Sequence, residues 1–106
     1  LLVMSNASAY DGANFRWFVD RYSSFLYVDR IVIDPVYAGT GVGTALYVDL
    51  IEFAKGQGHI ALCCEINVLP PNPVSYAFHA RFGFREVGHS NEAAVQKVVS
   101  YQMAAL

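Results

Sequence analysis

Charge is scarce in this sequence. Lys, Arg, Asp and Glu make up 15% of its 106 residues, and the formal net charge is -2. Without a basic excess there is no electrostatic footprint for nucleic acid. No apolar run is long enough to cross a bilayer, so no membrane partner is expected. Cysteine is nearly absent: Cys63 and Cys64 stand side by side, and neighbours close only a strained disulfide. With no histidine near them they make no metal site, and no metal is expected. They read as a buried pair of small hydrophobes rather than as reactive thiols, which fits a reducing, cytoplasmic setting. The first residues carry no basic region and cleavage site, so no signal peptide is expected. The chain opens at Leu1 rather than Met and reads as a fragment or a shortened version of a longer protein.

Apolar residues, by contrast, make up 55% of the chain. That is enough to fill one small core, and the length fits a single domain over 1–106. Leu1 to Met4 reads as a short strand. Phe15 to Tyr22 fits both alternation and helical spacing; a short helix capped by Asn14 is the preferred reading. "FLYVDRIVI", Phe25 to Ile33, is a strand ended by Asp34-Pro35. Val42 to Lys55 is a helix with Leu46, Leu50 and Phe53 on its apolar stripe and Asp49, Glu52 and Lys55 towards solvent. "IALCCEINV", Ile60 to Val68, is a second strand. Val74 to Phe82 is a second main helix, with Asn72 as N-cap, Pro73 in the first turn and Gly83 at its end. Phe84 to His89 and Val95 to Met103 read as antiparallel strands. Strand, glycine turn, helix and strand around the glycines form a βαβ crossover, hence one parallel pair in a mixed α/β sheet.

"DPVYAGTGVGTALY", Asp34 to Tyr47, puts three alternate glycines between a strand and a helix. N–H groups at a helix N-terminus suit an anion, and bare backbone lets a ligand come close. A Walker loop is excluded, because Thr44-Ala45 follows Gly43 where lysine and Ser/Thr are required. A dinucleotide loop fits poorly, since the spacing is G-x-G-x-G and Glu65 lies in mid-strand. A turn that merely needs positive φ would use one glycine.

"IDPVYAGTGVGTAL" resembles the acyl-CoA loop of the GNAT acetyltransferase superfamily, and "NPVSYAFHARFGFREVG", Asn72 to Gly88, resembles its second signature. "CCEIN…PPNPVSYAFHARFGFREVG" is similar to a bacterial branch of predicted acetyltransferases. The resemblance implies a GNAT-like acyl-CoA N-acyltransferase fold, mostly antiparallel, N-terminally truncated because the family's first strands and two first helices have no counterpart here. It implies transfer of an acetyl group from acetyl-CoA to an amine acceptor by direct attack. It further implies a cofactor surface of Ile31, Val32 and Ile33 on the strand, the loop residues Ala38, Gly39, Thr40, Gly41, Val42, Gly43 and Thr44, and Asn72, Ser75, Phe78 and His79 on the helix. Two positions depart from the family: Ala38 stands where Arg or Gln is usual, and His79 where tyrosine often reaches the CoA sulfur. Ala38 and the missing N-terminal elements make a CoA-binding degenerate module without turnover the alternative reading.

The chemistry asks for backbone donors at the thioester oxygen, a base for the amine and a proton for the thiolate. Parity places Cys64, Ile66 and Val68 on one face of the second strand and Cys63, Glu65 and Asn67 on the other. A carboxylate on such a face is paired, wet or functional. Glu65 is the first candidate for a base or an amine anchor, against a structural carboxylate held by Arg or Tyr. Asp29 is the second, against an ion pair with Arg30 or Arg21. His79 is the candidate acid, against a packed helix histidine. Phe15, Trp17, Phe18 and Tyr22 read as core, or as a surface meeting a second copy in a homodimer.

Overall fold

The computed structural model describes residues 1–32, 35–37, 39–69, 71–90 and 98–106. The elements run β1 (Leu2–Ser5), α1 (Ala13–Val19), β2 (Phe25–Arg30), a 3-10 turn (Pro35–Tyr37), α2 (Val42–Gly56), β3 (Ala61–Leu69), α3 (Pro73–Ala80), β4 (Arg85–His89) and β5 (Val98–Ala105). The strands form one sheet in the order β1-β2-β3-β5-β4. Among the described residues β2 and β3 are parallel and every other pairing is antiparallel. The mixed sheet with its β2–α2–β3 crossover is the expected α/β arrangement.

The sheet is covered on both faces, which is why β2 and β3 read as almost unbroken apolar runs. Leu26, Val28, Leu62, Cys64 and Ile66 pack against Tyr47, Leu50 and Ala54 of α2. Phe25, Tyr27, Ala61, Cys63, Val99 and Tyr101 face Phe15 and Phe18 of α1. Both phenylalanines are fully buried, and each contributes about 1.5–3 kcal/mol by leaving water. Trp17 adds a stack on Tyr101, with ring centroids 4.2 Å apart. Burial at Cys63 pushes its thiol up to about 12, and Cys64 is raised as well, so both are inert hydrophobes as the sequence suggested.

Several boundaries and contacts differ from expectation. The first helix starts at Ala13 behind Gly12, not behind Asn14. Asn14 lies inside α1, where its side chain accepts from the Tyr101 hydroxyl at 3.2 Å, a long-range bond that replaces the capping role. β2 stops at Arg30, and Ile31 and Val32 have left the sheet. α3 is shorter at its C-terminus, because Phe82 already belongs to the turn closed by Gly83. β5 begins at Val98, and the expected strand residues 95–97 lie outside the described residues. Phe53 is 57% exposed; the buried stripe of α2 is Gly43, Tyr47, Leu50 and Ala54, one notch round the helix.

The largest departure lies at the centre of the sheet. β2 and β3 pair only over Phe25–Tyr27 with Ala61–Cys63. Beyond that point β2 runs on to Arg30 beside β1, while β3 runs on to Leu69 beside β5. The two central strands part, and their facing backbone edges open a gap through the middle of the sheet.

Candidate functional site

The glycine loop sits at the N-terminus of α2, on the α2 face of the sheet. Gly41 caps α2 at φ 87, and Gly39 is at φ 77. Both conformations are cheap only for glycine. Nothing lies within 4 Å of the place a Cβ would take at either position, so the loop faces open space. The third glycine, Gly43, has a different reason: it is buried within the first turn of α2. A cleft of about 1100 Å³ lies between this loop and α3. That exceeds the roughly 300–1,000 Å³ of an ordinary small-ligand pocket.

Most of the expected cofactor residues meet here. Ile31, Gly39, Gly41, Val42, Gly43 and Thr44 line one wall, and Asn72, Ser75, Phe78 and His79 the other. Val32 is 70% exposed and stands outside the lining. The Thr40 hydroxyl donates to the Tyr37 carbonyl and holds the loop rather than facing the cleft. Ile33 and Ala38 lie outside the described residues. Asn72 caps α3, its side chain accepting the Ser75 N–H at 3.2 Å, and its amide NH₂ makes no hydrogen bond among the described residues.

His79 is 6% exposed. Its Nδ1 lies 2.8 Å from the Ser75 carbonyl, which can only accept, so Nδ1 carries the proton. Nε2 is therefore an acceptor, and the Tyr47 hydroxyl donates to it at 2.6 Å. The ring stands edge-on to Tyr47, Phe78 and Phe84. Burial lowers its pKa, and the Ser75 carbonyl only partly opposes this, so the imidazole is held neutral.

Glu65 occupies the opposite face, under α1. It is half-buried and accepts a short hydrogen bond from the Tyr27 hydroxyl; Asn14 bonds the same carboxylate. Burial raises its pKa, those bonds pull it down, and Asp29 pushes it up again. Burial also raises the Tyr27 phenol, with the Glu65 charge adding to it. Among the described residues no ion pair includes Glu65. Asp29 stands further along β2 near it. The ion pair expected for Asp29 with Arg21 or Arg30 is not formed among the described residues. Arg21 lies 4.1 Å over the Trp17 ring and donates to the Trp17 carbonyl, while the Tyr10 hydroxyl is 3.5 Å from Asp29.

The sequence reading missed Tyr37, Val74 and Arg81, which line the cleft, and Tyr47, which holds His79. Helical spacing was the signal for two of them: Val74, Phe78 and Arg81 stand at i, i+4 and i+7. Among the described residues no cluster of His, Cys, Asp and Glu is placed to hold a metal ion, and no helix is long and apolar enough to cross a membrane.

Comparison with known proteins bears on this geometry. The sequence model of the acetyltransferase (GNAT) family matches residues 9–84. A glucosamine 6-phosphate N-acetyltransferase from Trypanosoma brucei brucei is 34% identical over 59 residues, 56% of this chain and 37% of that protein. The crystal structure of nourseothricin acetyltransferase superposes with a TM-score of 0.68 at 26% identity, over 77% of this chain and 50% of that one. A Bacillus anthracis acetyltransferase, solved in complex with acetyl coenzyme A, superposes at 0.69 with 21% identity over 78% of this chain and 49% of that one. The chain thus spans half or less of the length of these relatives.

Proposed function

The chain belongs to the acetyltransferase (GNAT) family, and on that footing we propose that it moves an acetyl group from acetyl-CoA to an amine by direct attack. One observation carries the reading. The glycine loop and α3 frame a cleft on one face of the sheet, Glu65 stands on the other, and β2 and β3 stop pairing beyond Tyr27 and Cys63. In this reading the diphosphate rests on the N–H groups of Gly39 to Thr44, helped by the α2 dipole. The pantetheine arm passes Asn72 and Ser75, and the thioester reaches the gap. Backbone N–H groups where the strands part, near Ile31, face the oxygen that gains charge. The amine enters from the α1 side. Glu65 takes its proton or anchors it, with Asp29 as a second negative charge beside it. The nitrogen lone pair forms the C–N bond, the C–S bond breaks, the proton lost by the nitrogen passes to Glu65 or to water, and the leaving thiolate takes its proton from solvent. The relative solved with acetyl coenzyme A supports the choice of donor.

His79 serves this site as a positioning residue. Its two nitrogens are bound to Ser75 and Tyr47, so it fixes α3 against α2 rather than presenting a proton to the cleft. The same observation favours a second reading, a module that binds CoA without turnover. Calorimetry with acetyl-CoA, followed by thiol release across a panel of amines, tests both. Binding with amine-dependent thiol release is the expected result. Binding without release on any amine gives the second reading, and no binding refutes both.

A further inference from the structure

Glu65 is held from outside its own strand, and the donors all run towards it. The Tyr27 hydroxyl on β2 donates to its carboxylate, and Asn14 on α1 bonds it as well. Behind Asn14 stands β5, where the Tyr101 hydroxyl donates to Asn14 Oδ1 at 3.2 Å. Oδ1 faces a donor, so the NH₂ end of the amide is the one turned to Glu65. Tyr101 is itself fixed. It is buried, and Trp17 lies flat on its ring. Gly88 on β4 makes room for that stack, since a Cβ there would overlap the Trp17 ring.

We propose that Asn14, oriented by Tyr101, is a positioning residue for acetyl transfer, fixing the Glu65 carboxylate beside the gap for the acceptor amine. This rests on the acyl-transfer reading above. A glutamate side chain has several rotatable bonds, and a reacting group works only when held to within about 0.5 Å of its productive place. Tyr27 is one tether, and α1 brings the second. The array of donors suits an anion and leaves its remaining lone pairs to the amine. Nor does α1 need the Asn14 side chain for itself: the helix starts behind Gly12 with no side-chain cap. The titratable groups facing Glu65 are Tyr27 and Asp29 on β2, Tyr10 before α1 and Cys64 on β3 itself. Burial keeps the Tyr27 phenol and the Cys64 thiol neutral, and the Asp29 charge raises Tyr10. Arg16 of α1 pairs with Asp11. Burial and the Asp29 charge thus disfavour the carboxylate, and the bonds from Tyr27 and Asn14 favour it.

The test follows kcat and KM for amine-dependent thiol release from pH ~6 to ~9 in the parent, Asn14→Leu, Asn14→Asp and Tyr101→Phe. Melting curves show which variants are folded. Asn14→Leu should lower kcat about tenfold, the scale of one hydrogen bond to a charged group. KM for acetyl-CoA should not change, because the donor lies across the sheet. The rate rises with pH as the base loses its proton, and losing a donor to the carboxylate should move that rise up by about one pH unit. Asn14→Asp still accepts from Tyr101 but cannot donate to Glu65 and adds a like charge, so its rise should move further. Tyr101→Phe keeps the ring under Trp17 and releases the amide; a smaller fall in the same direction is expected. A purely structural Asn14 would lower the melts and leave the pH profile in place. A parental profile in every folded variant overturns the proposal and leaves the acyl-transfer reading standing. A parent without amine-dependent release overturns transfer and this proposal together.

Discussion

Removing one oxygen, in Tyr47→Phe, asks what His79 is for. The tyrosine is 0% exposed and its hydroxyl is 2.6 Å from Nε2 of a histidine that is 6% exposed. Phenylalanine keeps the ring and its stack on Phe82. What is lost is one hydrogen bond, and what remains is a buried Nε2 with no donor. Stranding a buried acceptor costs about 1–3 kcal/mol. For a domain of this size each kcal/mol moves the melting temperature by roughly 4–8 °C, so a drop of roughly 5–20 °C is expected. His79→Phe strands the Tyr47 hydroxyl instead, while the Ser75 carbonyl keeps its helical backbone donor. The double variant should therefore cost less than the two single losses added, by about 0.5–3 kcal/mol of coupling. The pH dependence has a definite sign. Burial depresses the folded pKa of His79, so its contribution is present above the ordinary histidine value and is lost as pH falls through the folded value. Between pH ~7.5 and ~5 the parent should lose stability relative to His79→Phe. Unfolding curves of the four proteins read all of this. A Tyr47→Phe melt equal to the parent's, with additive costs, would show that the buried pair does not exist in solution. Turnover separates the two roles independently of stability. As a positioning residue, folded His79→Phe keeps acetyl transfer within about tenfold, whereas a general acid would lose roughly 10²-fold or more with acetyl-CoA affinity intact.

Two further substitutions address the walls of the site. Gly41→Val meets no neighbour, yet must adopt φ near 87; it should cost about 1–2 kcal/mol in a melt and weaken acetyl-CoA binding by calorimetry, and parental affinity would remove the loop from the binding surface. Glu65→Gln can still accept from Tyr27, and burial has raised the carboxyl's folded pKa. The parent's share of stability from this group is therefore present below the ordinary carboxylate value and lost as pH rises through the folded one. The variant should thus melt at or above the parent at pH ~8 while losing amine-dependent thiol release. A lower melt at that pH with transfer unchanged would make Glu65 a strut for Tyr27.

What could be read in the sequence, and what could not, divides along the range of the interactions. The Asn72 cap, Pro73 at the helix start and the positive-φ glycines are local, and each is fixed by its own few residues. The parity of β3 is local too, and it separated Cys64 and Ile66 from Cys63 as the two cores do. The stripe of α2 is not. Leu46, Leu50, Phe53 and Gly43, Tyr47, Leu50, Ala54 both have helical spacing and share Leu50; the sheet chose the second, because small residues let α2 approach and a tyrosine fills the space beside His79. Asn14 shows the same competition, a plausible cap drawn instead to Tyr101 and Glu65 from a distant part of the chain. The end of β2 was hidden for another reason. Its strand-like pattern resumes after Asp29-Arg30 and continues to Ile33, so the pattern itself does not mark where pairing with β3 ceases.

That hidden point matters most for chemistry. Glu65 and the glycine loop lie on opposite faces of a sheet whose two cores are otherwise sealed by aromatic and aliphatic side chains. In the proposed reaction they act on one molecule through the gap beyond Tyr27 and Cys63. The Tyr27 that ends the paired stretch is also the tyrosine that donates to Glu65. The strand position that opens the sheet therefore sets the carboxylate beside the opening. Pairing that ran on past this point would leave the cleft and the carboxylate each intact and put a wall of hydrogen-bonded backbone between them.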